Sequence, residues 1–311
     1  MSKIDIFELA TNLIFLLYPI VVIVGTVCNS LAFIIFSRRK FNNTIFSTYF
    51  RFLAVNDTVS LLFLTLNKFL IIRFDFYIGE ISDIFCKLIG FLAYGIPAIS
   101  SWILVVISFD RMINITLASR FLFRKNQKFQ VITCVGIFLF NITYYGHLFF
   151  SEIYYKSQYD NITNTTTEVV YCTAYEITYI LSWSDLFNST LIPFTLMIIS
   201  TIVTLKSLYK QRSRVKYTAV KANNENSNKS KDAKFAFTSV ALNIMFFLLN
   251  IPFCILSLSS LYLIIDDKTL SLIKAVISIF YYINFLTVFF VNILFNSIFK
   301  KEFFSYIKNE K

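Results

Sequence analysis

Apolar residues fall in seven long runs along this chain, at roughly 10–36, 47–72, 84–109, 129–151, 177–205, 235–265 and 270–298. A helix needs about 20 predominantly apolar residues to cross a bilayer, and each run is long enough. The pattern predicts an all-α fold: a polytopic membrane protein whose 311 residues form a single seven-transmembrane helix bundle. Beyond the last run, Phe299, Phe303 and Ile307 recur at i, i+4 and i+8, with Lys300, Lys301 and Lys308 mostly on other faces. That spacing predicts a short amphipathic helix over 299–308 lying in the membrane interface. No internal repeat is visible, which argues against a transporter built from duplicated halves.

Two connections are long. The one between the fourth and fifth runs holds adjacent N-x-T triplets at Asn161 and Asn164, glycosylation acceptors if that loop is extracellular. The other, between the fifth and sixth runs, is basic at its flanks and polar over 221–232, too poor in apolar surface to fold alone. Its middle reads as a solvated tether; its flanks read equally as a tether or as a docking edge for a cytosolic partner.

Composition agrees with membrane burial: 57% of residues are hydrophobic, 15% are charged, mean hydropathy is +0.66, and only 6 Gly and 4 Pro are present. The net charge of +11 could suggest nucleic acid, but its placement decides against that. With the N-terminus outside, inner segments hold 22 of the 29 Lys and Arg, while the outer face holds 12 of the 18 carboxylates. The positive-inside rule then predicts a cytosolic C-terminus, and the basic excess serves topology and attraction to anionic membrane lipids. Residues 1–36 read as the first membrane helix, because the apolar run is too long for a signal peptide and Arg38, Arg39 and Lys40 follow it.

Few side chains offer chemistry. Asp57 lies at mid-membrane, where an ionised carboxylate is costly and marks function by default. It reads either as a switch or Na⁺ site, with Ser100 adding an oxygen, or as a protonated packing residue hydrogen-bonded to Asn29 or Asn292. At the inner end of the third helix Asp110 adjoins Arg111, and Asp232 at the start of the sixth could reach the same guanidinium. Such a breakable pair suits a cytoplasmic gate as well as an interfacial anchor. Pro97, Pro193 and Pro252 should kink the third, fifth and sixth helices. Of 5 cysteines, Cys86 and Cys172 lie on the oxidising outer side, and a bond between them would pin the long outer loop. The single His, His147, reads as interfacial, and no acid pair, phosphate loop or metal-spaced set appears, so no enzyme is expected.

In this order along the chain, these residues resemble the rhodopsin-like (class A) G-protein-coupled receptors over nearly its whole length. Every helix except the fourth offers a landmark. Gly25-Thr-Val-Cys-Asn29 resembles the first-helix Gly-x-x-x-Asn, and Leu53-Ala-Val-Asn-Asp57 the second-helix Leu-Ala-x-x-Asp. Cys86 precedes Arg111 by 25 residues, the family's spacing from disulfide cysteine to the Asp-Arg-Tyr arginine. Pro193 matches the fifth-helix proline, Phe246 with Pro252 the sixth-helix motif, and Asn292-Ile-Leu-Phe-Asn296 with Phe303 the seventh-helix Asn-Pro-x-x-Tyr and its following Phe. Met112, Thr201, Asn250, Ile293 and Asn296 stand where the family carries Tyr, Tyr, Trp, Pro and Tyr, and the fourth helix lacks its usual Trp.

The resemblance implies a plasma-membrane receptor that takes an extracellular ligand and activates a heterotrimeric G protein, with a Cys86–Cys172 disulfide, a switch involving Asn29, Asp57, Ser100, Phe246, Pro252 and Asn292, and no nucleic-acid partner. By its register the ligand cavity comprises Lys68, Tyr94, Pro97, Asp185, Phe253, Ser257 and Tyr282, a mixture of charge and aromatics suited to a peptide or a polar chemosensory molecule. Ala93 stands where amine receptors carry Asp, and Leu286 where opsins carry the retinal Lys, so neither ligand type is expected. The alternatives are a non-signalling decoy and a seven-helix channel or transporter, although only Asp57 lies deep in the membrane.

Overall fold

The computed structural model describes residues 6–41, 46–74, 76–116, 126–150, 152–160, 165–173, 183–217, 223–259 and 267–308. Side chains are described within these except at 6–8, 152–171, 173, 211–217, 223–236, 257–259, 267, 268 and 271. Asn161 and Asn164 therefore lie outside the described residues, as do the side chains of Asp232 and Ser257.

Nine α-helices are present among the described residues: α1 (Ile6–Phe36), α2 (Ser47–Phe74), α3 (Asp83–Thr116), α4 (Gln127–Tyr144), α5 (Ile192–Tyr217), α6 (Asn223–Ser259), α7 (Asp267–Ile283), α8 (Thr287–Phe295) and α9 (Ser297–Ile307). They supply seven segments long and apolar enough to cross a membrane: Leu9–Phe36, Ser47–Phe74, Asp83–Thr116, Gln127–Phe150, Trp183–Lys210, Phe237–Leu256 and Leu272–Phe295. α3 is the hub, touching α2, α4, α5 and α6. In its apolar window 67% of residues are buried, against 22–50% in the other six. Large side chains such as Leu16, Ile23, Ile132, Leu248 and Ile255 stay exposed around the bundle, as expected where lipid and protein interior are equally apolar.

The seven-helix class is as the sequence predicts, and four local features are not. The third helix runs through Asp110 and Arg111 to Thr116, where the apolar pattern ends it near 109. The stretch read as a tether is helical from Asn223, because a polar extension adds a hydrogen bond per residue to a helix already nucleated in the membrane. The seventh segment is broken by a 3-10 turn, Asn284–Leu286, between α7 and α8. Finally, the long loop between the fourth and fifth segments forms an antiparallel hairpin of β1 (Glu152–Asp160) and β2 (Thr165–Thr173), so the all-α description needs one β exception. Thr and Val, good strand formers, dominate β2, and β1 carries three Tyr and an Ile among its nine residues.

Prolines act through different devices. Pro97 and Pro252 sit inside α3 and α6. Pro193, by contrast, follows a π-helical turn at Leu186–Leu191, which widens the chain just where proline crowds the preceding turn.

The short helix α9 packs back on the bundle. Asn296 caps it, its side-chain oxygen accepting from the amides of Ile298 (3.2 Å) and Phe299 (3.1 Å). Phe299 enters an aromatic cluster, 5.0 Å from Phe36, which itself stacks on Phe50 at 4.6 Å, while Phe303 meets Phe289 at 5.4 Å. Ile307, expected on the same face, is 60% exposed.

Candidate functional site

At the end of the bundle where α9 lies, Asp110 and Arg111 are both buried, each 5% exposed. A charge in that position needs company. The Arg111 guanidinium lies over the Phe46 ring, 3.1 Å from its centroid, a cation–π contact that the sequence did not disclose. Tyr49, fully buried, is set beside Asp110 and Thr133. Asp232 belongs to α6 as expected, but its side chain is outside the described part, so its pairing with Arg111 remains an expectation.

One turn deeper, a polar network joins three helices. Ser108 of α3 donates to Asn243 Oδ1 (2.9 Å), and Asn243 of α6 donates to Thr201 of α5 (2.9 Å), with Ser239 3.4 Å from Ser108. Three of these four side chains, Ser108, Ser239 and Asn243, are buried. Sequence reading singled out only Thr201, as a missing Tyr. Polar residues one helical turn apart, at 239 and 243, were the available signal.

In the middle of the bundle Asp57 is 2% exposed and accepts a short hydrogen bond from Ser100. Asn56 also donates to Ser100 (2.7 Å) and to the Ile96 carbonyl (2.8 Å), tying α2 to α3. The expected alternative partners serve other purposes. Asn29 donates to the Phe285 carbonyl at 3.0 Å, satisfying a backbone group in the 3-10 break of the seventh segment. Asn292 donates to Val288 within its own helix (2.8 Å) and accepts from Asn296 (3.0 Å). Neither amide therefore bonds Asp57, and Asn29 is a structural clasp on the seventh segment. Phe246 is a fully buried core residue, and Asn250, two positions before Pro252, donates to its carbonyl at 2.7 Å.

Toward the other end, α3, α6, α7 and the start of the fifth segment enclose a cavity lined by Pro97, Ser101, Asp185, Asn250, Phe253 and Tyr281, among others. Its open volume is about 30 Å³, enough for water and far below the several hundred Å³ of a ligand pocket. The cavity is contracted. Asp185 is its charged element, with Oδ1 accepting from the Tyr145 hydroxyl at 2.7 Å. Phe253 stacks on Tyr281 at 4.3 Å. Of the residues expected to line it, Pro97, Asp185 and Phe253 do. Lys68 and Tyr94 are outside the lining, and Tyr282 turns away to meet Tyr18 of α1 at 5.1 Å. Tyr281 takes its place, because one residue along a helix rotates a side chain by about 100°.

Behind the cavity, Trp102 donates to Asn188 (3.1 Å) and Asn188 to Asn141 (3.1 Å), so an indole and two amides hold α3, the π-turn and α4 together. Over the cavity end, Cys86 is joined to Cys172 with Cα atoms 5.5 Å apart, which fixes β2 to the start of α3. β2 rests on the turn Ile78–Glu80, whose neighbour Tyr77 is held above the ordinary phenol range by burial and by Glu80. Free Cys28 and Cys134 are buried, and Cys254 donates to Thr190 at 3.2 Å. His147 contacts the Tyr144 carbonyl at 2.9 Å. No group of three potential metal ligands from His, Cys, Asp and Glu occurs among the described residues.

Comparison with known proteins agrees with this layout. Residues 7–296 match the family described as 7 transmembrane receptor (rhodopsin family). Among individual proteins, the chain is 28% identical over 126 residues to the N-arachidonyl glycine receptor of Rattus norvegicus, covering 40% of this chain and 37% of that one. It is 29% identical over 139 residues to the Macaca fascicularis protein of that name, covering 45% and 40%. Against the Mus musculus protein it is 26% identical over 200 residues, covering 64% and 59%. The matches thus span between about a third and three fifths of these relatives' length.

Proposed function

The chain belongs to the rhodopsin family of seven-transmembrane receptors, and on that premise we propose that it sits in the plasma membrane, binds an extracellular ligand and activates a heterotrimeric G protein. The disulfide end is then outside and α9 is cytosolic, the orientation that the distribution of Lys and Arg supports. One observation carries the reading. A contracted cavity holding a carboxylate lies at one end of α3 and α6, and a buried Arg111 beside a three-helix polar network lies at the other. Opening the cavity displaces α6, and displacing α6 strains that network. The test is G-protein activation in cells expressing the chain, with peptide and small-molecule pools, beside Arg111→Ala. A ligand-dependent signal lost in the variant supports the reading; surface protein with no signal to any pool and any G protein, or a current in its place, counts against it.

The ligand is a peptide or polar small molecule that presents a donor or cation to Asp185. A second reading follows from the relatives' name: an N-acyl amino acid whose carboxylate meets Lys68 while its chain runs along Phe253 and Tyr281. The two separate experimentally, because Asp185→Asn weakens the first kind of ligand and Lys68→Gln the second. Asp57 and Ser100 supply the hard oxygen donors that Na⁺ takes, and Ser60, one turn from Asp57, has a buried hydroxyl without a partner. Those residues would hold the ion and bias α2 and α3 toward the contracted state, so ligand affinity should fall as Na⁺ rises and lose that dependence in Asp57→Asn.

A further inference from the structure

The hydrogen-bond donors around the cavity of Asp185 are largely committed to the protein, and its acceptors are not. Ser101 donates to the Pro97 carbonyl at 3.4 Å, Ser189 to the Asp185 carbonyl at 2.7 Å, and Asn250 to the Phe246 carbonyl at 2.7 Å. The Cys254 thiol is given to Thr190. What remains for an occupant is oxygen.

Three acceptors converge on this space. Asp185 is half-buried beside the hydroxyls of Tyr145 and Ser189, neither of which brings a positive charge. Among the described residues no Lys or Arg lines the cavity. Asn284, at the 3-10 break of the seventh segment, also lines it, is 7% exposed, and its Oδ1 meets no donor. Asn250 has spent its nitrogen on Phe246, which leaves its own oxygen. A carboxylate without a counter-charge and a buried amide oxygen without a donor are both costly.

The occupant that removes both costs is one that only donates. An ammonium group carries three N–H donors and no acceptor, whereas a carboxylate or phosphate would set oxygen against oxygen. Size points the same way: the open volume of about 30 Å³ takes a group as small as water, and a planar guanidinium is broader. Phe253, stacked on Tyr281 at 4.3 Å, adds an aromatic wall that attracts cations, and the charge of Asp185 reaches Tyr281. Ala93 removes an amine-pairing carboxylate from α3 alone; the fifth segment supplies one from another wall. An acyl chain in this space would lie against the oxygens, so the geometry favours the cationic of the two ligand kinds.

We propose that this cavity is selective for a primary ammonium head, with N–H groups taken by Asp185, Asn284 and Asn250, and that the ligand is a small primary amine whose body extends along Phe253 and Tyr281. The proposal rests on this cavity being the ligand site proposed above, but needs no G protein.

Cys254 lines the same cavity, close enough to Asp185 to feel its charge, and serves as a built-in reporter. The purified full chain in nanodiscs, with the buried Cys28 and Cys134 replaced by Ala, is treated with methanethiosulfonates bearing an ethylammonium, an ethyltrimethylammonium or an uncharged methyl group. Labelling of Cys254 is followed by intact mass, and each rate is divided by that reagent's rate with free mercaptoethanol. The ethylammonium reagent should lead the trimethylammonium one, which has the same charge and no N–H, by about 10-fold or more. Asp185→Asn should abolish that lead and Asn284→Leu should narrow it, while an unchanged rate with the uncharged reagent shows the cavity intact. On the unmodified chain, benzylamine should raise Tm, benzyltrimethylammonium should not, and the rise should vanish in Asp185→Asn. Equal normalised rates for the two cations, a lead that survives Asp185→Asn, or an unreactive Cys254 together with no benzylamine effect on Tm would each overturn the proposal. Amine selectivity in a chain that activates no G protein leaves this site standing and removes only the signalling function; activation by a ligand without a primary amine, with no selectivity at Cys254, does the reverse.

Discussion

Asn243→Leu is the most informative single change, because it keeps the volume of the side chain while deleting the bridge between three helices. Two hydrogen bonds disappear, from Ser108 and to Thr201, both 2.9 Å long. In a membrane bundle each is worth about 0.6 kcal/mol on average and up to roughly 1.7, so the pair contributes about 1–3 kcal/mol. Neither bond survives an outward movement of α6 by more than about 1 Å, since hydrogen bonding fades beyond roughly 3.5 Å. The whole contribution therefore favours the contracted arrangement. Removing it should raise the population with α6 displaced by about 5- to 150-fold. Spin labels at Thr116 of α3 and Phe237 of α6, both exposed, read the separation by double electron–electron resonance once the free cysteines are replaced. Ser108→Ala in the Asn243→Leu background should add less than it does alone, by at least about 0.5 kcal/mol, if the residues act as one network. An unchanged distance distribution, or full additivity, would refute the idea that this network holds the sixth helix.

Three further outcomes are expected. A Cβ at Gly25 would come within 2.4 Å of Leu61 and 3.0 Å of Leu286, so Gly25→Val should cost about 1–3 kcal/mol by overpacking α1 against α2 and the seventh segment, seen as a lower Tm in detergent. Asn296→Ala removes the cap of α9 and the bond to Asn292, and should loosen that helix by about 1–2 kcal/mol, measured as faster amide exchange confined to 297–307. A shift in gel mobility on glycosidase treatment, lost in the paired Asn161→Gln and Asn164→Gln variant, is expected if the hairpin end is extracellular; an unshifted band from intact cells counts against that orientation.

The bundle was legible because crossing a membrane constrains composition over whole helices, and about 20 consecutive apolar residues carry that message regardless of detail. Side-chain partners were not, since they depend on rotation by single residues. Tyr282 and Tyr281 are equivalent in any compositional reading, yet one meets Tyr18 and the other lines the cavity. Asn29 could not be assigned to the Phe285 carbonyl without knowing that the seventh segment breaks there. The Arg111–Phe46 contact was hidden for a similar reason: Phe46 lies just before α2, 65 residues from Arg111, in a stretch that reads merely as the end of a linker. The hairpin was legible in principle. Its second arm is rich in Thr and Val and its first in Tyr, around a short polar centre, but by sequence alone this loop reads only as a long connection carrying glycosylation triplets.

The positions that depart from the family's motifs bear on whether this receptor has decayed. A chain released from selection for switching would be expected to replace lost aromatics with apolar residues, since an unpaired buried polar group is costly in lipid. Met112 and Ile293 follow that expectation, and four other positions show the opposite. Thr201 bonds Asn243 of the neighbouring helix, Asn250 bonds the Phe246 carbonyl, and Asn296 both bonds Asn292 and caps α9. On the fourth helix, which lacks the usual Trp, Asn141 completes a chain through Asn188 to Trp102. These four residues are polar and each has a partner, three of them reaching another helix. Directional contacts between helices are broken and remade when helices move, whereas apolar packing only slides. At these four positions tyrosine and tryptophan contacts are exchanged for amide and hydroxyl ones, so the helix-to-helix links are directional and not merely apolar.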